Sequence, residues 1–346
     1  MKLWISILTF ALILGFAPQS FAAGPTSVSG TISTSTEWTK DNSPYVIQSD
    51  VTIAPGATLT IDAGVEVQFA VPAGAKVGST PNLVVRGGLR AIGNSTGWVS
   101  FTPQTAGSLW GAIYFYNSDP MNSVLQVSTI KGGRVVCNGS SPTISQCILF
   151  GAKSGVEIMG NSQPKIMANK ITANSVGIAL LDATANPVIS NNDIYNNNYG
   201  FYLKDFGTPT VTGNRIYNNL KYNMVNYSAK TLLAPNNDFR IADAQQIMRT
   251  IYDGAYNPSL GRVNFMPFSG MAAGASTAQP AVASAGQGAV TQEKPEVNEE
   301  EFWSYGRPFD AMKISNVDNQ KQKPSNTVKV LAVGATAVVT AVLLFL

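Results

Sequence analysis

An internal repeat constrains this chain more than any other feature. The phrases PTISQCIL, PKIMANKI, PVISNNDI and PTVTGNRI begin at Pro142, Pro164, Pro187 and Pro209, at spacings of 22, 23 and 22 residues. Thirteen residues after the first three prolines stand Gly155, Gly177 and Gly200, which open GVEI, GIAL and GFYL. A weaker copy, SVLQVSTI, precedes them at Ser123–Ile130. Repeats of 20–50 residues specify a solenoid, and the pattern inside each unit specifies which kind. Ile144, Ile166, Ile189 and Val211 are equivalent, as are Leu149, Ile171, Ile194 and Ile216. The pairs Val156/Ile158, Ile178/Leu180 and Phe201/Leu203 form a third set. Apolar residues alternate with polar ones, so the units are strands with one buried face. Three short strands in ~22 residues make one coil of a parallel β-helix, with each coil stacked ~4.8 Å above the last.

Stacking brings equivalent residues into ladders. Asn169, Asn192 and Asn214 form one such set and Asn174, Asn197 and Asn219 a second, with Cys147 in the slot that opens the first. Asparagine tolerates left-handed backbone at a corner, and stacked amides can bond one another and the turn backbone. Both ladders are therefore expected to be structural. Lys170, Asp193 and Arg215 stack as a plus, minus, plus row on the outside, a cross-coil charge ladder rather than a site. Cys147 is expected at an inward corner and Cys137 at an outward strand end, which leaves a disulfide and two free buried thiols as alternatives. A β-helix must also cover its open ends; Ala242–Tyr252, apolar at Ile247, Ile251 and Tyr252, is suited to a capping helix within the closing segment 240–268.

The order of the flanking motifs resembles a known group. YVIQSDVTIAPGATLTIDAGVEVQFA at Tyr45–Ala70 is followed by LVVRGGLRAIG at Leu83–Gly93, WVSFT at Trp98–Thr102 and WGAIYF at Trp110–Phe115. This is similar to the opening coils of exported bacterial right-handed parallel β-helix proteins, the carbohydrate-binding and sugar-hydrolase superfamily with NosD-like and pectate-lyase-like members. IMRTIYDGAYNPSLGRVNFMPF at Ile247–Phe268 resembles the helix-plus-strand closing segment of the same group. The resemblance covers residues ~30–268. It implies a single all-β, right-handed parallel β-helix, but no particular activity, because lyases, hydrolases, epimerases, adhesins and scaffolds share the fold. A role in maturing a copper enzyme rests on the NosD-like resemblance alone.

The composition then removes catalytic classes. The chain contains no histidine, which excludes Ser-His-Asp and Cys-His catalysis and histidine-ligated metals. The same zero removes the His-Gly segment that the polygalacturonase-like members use, and no Arg-x-Pro-x-x-Arg stretch of the pectate-lyase type is present. With nine Met and two Cys, few ligands remain for copper. A net charge of +3 gives no footprint for nucleic acid.

The two ends read as targeting segments outside the fold. Met1–Ala23 carries Lys2, an apolar run from Leu3 to Phe16 and a small-residue site at Ser20–Ala23, the plan of a secretory signal peptide. Residues 24–268 form the β-helix. Residues 269–326 read as a flexible linker that is first Ala/Gly/Ser/Pro-rich, then acidic from Glu293 to Glu301, then aromatic at FWSYGRPF, Phe302–Phe309. That aromatic stretch reads either as a segment resting on the membrane surface or on the domain, or as a docking motif for a partner. Residues 327–346 are apolar to the end and long enough to cross a hydrocarbon core. A membrane anchor is the expectation; a processed sorting tail, a buried hairpin and a tail exchanged for a lipid anchor stay open.

Two outer clusters are candidates for chemistry. Asp182 and Asp205, 23 residues apart, are expected to stack at the end of the third strand, with Lys204, Tyr202 and Glu157 on the same outer face. Paired carboxylates could serve as an acid/base pair of a polysaccharide lyase or hydrolase, or as half of a Ca2+ site; they could equally cap turn amides. Phe150, Tyr195 and Tyr217, with Thr172 between the first two, share an outward slot suited to sugar rings or to a protein partner. The expected function is a non-catalytic cell-envelope module, without a required cofactor, that binds a polysaccharide or an envelope protein. Deleting residues 327–346 should move the protein from the membrane to the soluble envelope fraction; unchanged partitioning would count against the anchor.

Overall fold

In a computed structural model, the described residues are 24–280 without Ala73, Gly74 and residues 76–79. The signal-peptide segment, most of the linker and the apolar C-terminal segment lie outside them. No helix among the described residues is long and apolar enough to cross a membrane.

The coil predicted from the repeat is the structure. Every strand pair outside one isolated antiparallel bridge is parallel, and each strand bonds to its equivalent about one coil later. The first sheet has eight strands, from Thr36–Trp38 through Thr143–Ser145, Lys165–Met167 and Val188–Ser190 to Thr210–Thr212. Two further ladders join through the long strand Tyr45–Ile53 into a sheet of seventeen strands. One of them, here the second sheet, runs from Glu66–Phe69 through Asp193–Tyr195 to Arg215–Tyr217. The other, the third sheet, runs from Leu83–Val85 through Val176–Leu181 and Tyr199–Asp205 to Ile251–Tyr252.

Register turns sequence equivalence into rows. Leu125, Ile144, Ile166, Ile189 and Val211 stack inside the first sheet. Ile130, Leu149, Ile171, Ile194 and Ile216 stack inside the second, and Val156, Ile178, Phe201 and Met224 inside the third. All of these are buried in one continuous core. Burying each such side chain contributes about 1.5–3 kcal/mol relative to exposure.

The corners need separate treatment, because backbone groups that turn between sheets leave the ladders. At the corner between first and second sheets, Asn192 Nδ2 donates to Ile166 O at 2.9 Å and to Asn214 Oδ1 at 2.9 Å. Its Oδ1 accepts from the backbone N–H of Asn169 at 3.0 Å and from Asn169 Nδ2 at 2.9 Å. Asn169 and Asn214 repeat the pattern, Cys147 N–H donates to Asn169 Oδ1, and Asn237 extends the ladder by one coil. Asn174, Asn197 and Asn219 do the same at the next corner, starting from the N–H of Ala152. Left-handed backbone does not fall on the ladder asparagines, contrary to expectation. It falls on the residue before each: Gln146, Ala168, Asn191 and Gly213 at one corner, Gly151, Ala173, Asn196 and Asn218 at the other. The sharp bend therefore precedes the ladder residue, and the amide is left free to bond between coils. The third corner uses serines: the N–H of Ser118 donates to Ser140 Oγ, and that of Ser140 to Ser162 Oγ.

Two other expectations are corrected. The capping helix is shorter than Ala242–Tyr252: it spans Ala244–Arg249, with Asp243 accepting from Gln246 N–H at its start. Ile251 and Tyr252 leave it to pair with Met224 and Val225, because the last coil still presents unpaired backbone groups there. Cys137 points inward, stacked between Phe115 and Ile158, rather than outward. Both cysteines are free and buried; burial pushes both thiols up, Cys147 to about 12.

Asn192→Ala would leave the N–H of Asn169 buried without a partner and take the amide donor from the C=O of Ile166. It should lower stability by about 2–4 kcal/mol, read as a shift in the urea midpoint. Asn196→Gly, at an exposed left-handed position, should stay within about 0.5 kcal/mol of the parent. Equal effects of the two would contradict the role of the ladder.

Candidate functional site: the outer rows

The third-sheet acids are not the pair that their spacing suggests. The strand Tyr199–Asp205 carries a bulge at its end, so Leu203 lies opposite Leu180 but Asp205 lies opposite Leu181. The extra residue, Lys204, removes Asp182 from register with Asp205. Asp182 instead caps its own turn, accepting from the N–H of Thr184 at 2.9 Å and from Thr184 Oγ1 at 2.7 Å. Asp205 receives Lys230 Nζ at 2.9 Å, Ser228 Oγ at 3.3 Å and the N–H of Phe206 at 2.8 Å. The Thr184 hydroxyl holds the Asp182 carboxyl below the ordinary carboxylate range, and Lys230 does the same for Asp205. An acid/base pair needs one carboxyl raised and one lowered; here both are lowered and tied into turns.

The other members of that cluster are internal. Tyr202 projects outward from the third sheet, yet it is fully buried beside Tyr227, so it does not present a ring to a ligand. Glu157, in the same outward row, is buried and paired through Oε1 with Arg134 Nη1 at 3.1 Å, and the Ser154 hydroxyl donates to the same oxygen. Lys204 is exposed on the bulge. Among the described residues, no group of three or more Cys, Asp or Glu is placed to hold a metal ion.

The second sheet is different. Its outward row runs Lys131, Phe150, Thr172, Tyr195, Tyr217 in strict register. Phe150, Tyr195 and Tyr217 are all half-buried. Tyr195 and Tyr217 stack in parallel, centroids 5.3 Å apart and planes at 7°. The guanidinium of Arg240 lies 5.8 Å from the Tyr217 centroid and is held by Asp238 at 3.2 Å. A parallel charged row, Lys170, Asp193 and Arg215, flanks it, with Arg215 Nη2 donating to Asp193 Oδ2 and Asp238 bridged beyond Arg215. Arg240 and Asp238 extend the site by one more coil and were not legible from the repeat, since the proline that opens the phrase in the other copies is displaced to Pro235 there. Together these residues make a flat strip: stacked rings about one coil apart, edged by fixed charges. It can stack on flat apolar faces and donate hydrogen bonds beside them.

Residues 111–244 match the family model described as right handed beta helix region. The matched residues lie within the coils described above, whose fold is a right-handed parallel β-helix. No curated protein and no solved structure matches it. The match covers the coils that carry both ladders and the aromatic strip, and its description names a fold rather than an activity.

Asp182 and Asp205 contribute stability that is present above the unfolded carboxylate value near ~3.9 and lost as pH falls through their lower folded values. Both are partly exposed, so the contribution is small. A side-chain NMR titration should give one step below ~3.9 for each; a midpoint raised above ~5 for either would restore the acid/base pair.

Proposed function

We propose that this protein is a non-catalytic binding module of the cell envelope, and that the second-sheet strip receives a polysaccharide. The observation that carries this reading is the parallel stack of Tyr195 on Tyr217, capped by Arg240. A solenoid repeats its outer surface every ~4.8 Å, so an extended chain lying across the coils meets the same chemistry again and again. Sugar rings have an apolar face that packs on an aromatic ring and hydroxyls that bond to flanking charges. Phe150, two coils from Tyr195 across Thr172, gives the strip a second ring contact. The turn-bound carboxylates and the missing histidine favour binding over hydrolysis or elimination. Export and anchoring by residues 327–346 would place the strip outside the cytoplasm on a tether.

The test is a glycan array probed with the whole protein, followed by digestion assays on each glycan retained. Tyr195→Ala and Tyr217→Ala should each weaken retention by about 2–10-fold, equivalent to the ~0.5–1.5 kcal/mol that an aromatic contact contributes beyond its area. No reducing ends should be released. Release of reducing ends that Asp182→Asn or Asp205→Asn abolishes would replace this reading with a polysaccharide lyase or hydrolase. Retention unchanged in both tyrosine variants would remove the strip as the site.

A further inference from the structure

The second-sheet strip changes character from one coil to the next. Each of its coils shows two outward side chains, one from the aromatic row and one from the charged row beside it. In chain order these are Lys131 with Thr129, then Phe150 with Ile148, then Thr172 with Lys170, then Tyr195 with Asp193. Cationic coils and ring-bearing coils therefore alternate. Lys131 and Lys170 stand two coils apart, about 9.6 Å at ~4.8 Å per coil, and so do Phe150 and Tyr195.

Only some of the charge on the strip is free to meet a ligand. Lys131 and Lys170 are exposed, and no ion pair among the described residues engages either. Farther along, Arg215 is bound to Asp193 and Arg240 to Asp238, so the positive charge beyond Lys170 is already matched. The ring-bearing coils offer nothing to an anion. Phe150 and Ile148 are apolar, and Tyr195 stands beside the carboxylate of Asp193, whose Oδ1 is buried without a hydrogen-bond partner.

Resting on the polysaccharide reading above, the geometry points to the chemical class of that polysaccharide: a chain in which acidic and neutral sugar residues alternate. An extended pyranose chain laid along the solenoid axis advances by roughly one coil per residue. Every second residue then meets an ammonium group, and each one between meets a ring. Carboxylates on the first kind pair with Lys131 and Lys170, as exposed ion pairs that salt weakens. Neutral residues between them lay their apolar faces on Phe150 and Tyr195. A uniformly acidic chain would set one carboxylate over Ile148 and another against Asp193. A uniformly neutral chain would leave both lysines without a counter-charge.

Calorimetry on the whole protein tests this with three probes of equal length. They are oligosaccharides of hyaluronan, which alternates uronate with a neutral amino sugar, of polygalacturonate, which is acidic throughout, and of chitin, which is neutral throughout. The hyaluronan fragment should bind about 4–25-fold tighter than either of the others, the range for two exposed ion pairs. High salt should remove most of that difference. Lys131→Ala and Lys170→Ala should each weaken its binding by about 2–5-fold, with the urea midpoint and the binding of the chitin fragment unchanged. Polygalacturonate or chitin bound as tightly as hyaluronan, hyaluronan binding indifferent to both lysines, or no binding of any fragment would overturn the alternating class. If Tyr195→Ala still weakens retention on a glycan array, the polysaccharide site survives that result; if it does not, both readings fall together.

Discussion

A parallel coil succeeds or fails at its corners. Within the strands every backbone group meets a partner in the next coil, but at each bend the chain turns away from the ladder and buries polar groups without one. A buried donor or acceptor left unpaired costs about 1–3 kcal/mol, and a solenoid repeats that cost at every corner of every coil. The two asparagine ladders remove it. One side-chain amide has both donors and an acceptor, so Asn192 can serve the C=O of Ile166, the N–H of Asn169 and the amide of Asn214 at once. Alanine has none of these groups and aspartate has no donors, which is why asparagine recurs at that slot. Cys147 occupies the first-ladder slot at its start, where it contributes a backbone N–H to Asn169 and a sulfur beside Ser145 O.

Fixing the corners fixes the register, and the register shapes the outside. Once Ile171, Ile194 and Ile216 must stack inward, their neighbours Thr172, Tyr195 and Tyr217 stack outward. A strip of rings edged by alternating charges follows directly from the inner order. The result is a linear surface suited to a linear ligand. The one place where register slips, the bulge at Lys204, separates the two carboxylates that would otherwise have faced each other.

Much of this was legible from the repeat. Period 2 identified the strands, the proline spacing identified the coil, and coincident asparagines marked two of three corners. The outward slot of Phe150, Tyr195 and Tyr217 followed from the same alignment. What escaped had local causes. A bulge adds a residue inside a strand, so spacing could not place Asp205 opposite Leu181 rather than opposite Asp182. The serine ladder at Ser118, Ser140 and Ser162 keeps the repeat spacing, but serine is too common in loops to stand out. Asn237 belongs to a coil whose proline has moved to Pro235, so the phrase that marks the other copies is missing. The burial of Tyr202 and Glu157 depends on what lies across the third sheet, which alternation within strands does not report.

The central claim is that the asparagine amides hold the coil together as one cooperative unit. Native-state hydrogen exchange at the backbone N–H groups of Asn169, Asn192 and Asn214 measures this directly. The N–H of Asn192, for example, is 3.0 Å from Asn214 Oδ1, and each of the three should open only with global unfolding. Their exchange free energies should agree with one another and with the strand amides of Ile171 and Ile194. Exchange at the rate of the exposed turn amide of Thr184 would show that the corners open independently and that the ladders do not bind the coils together.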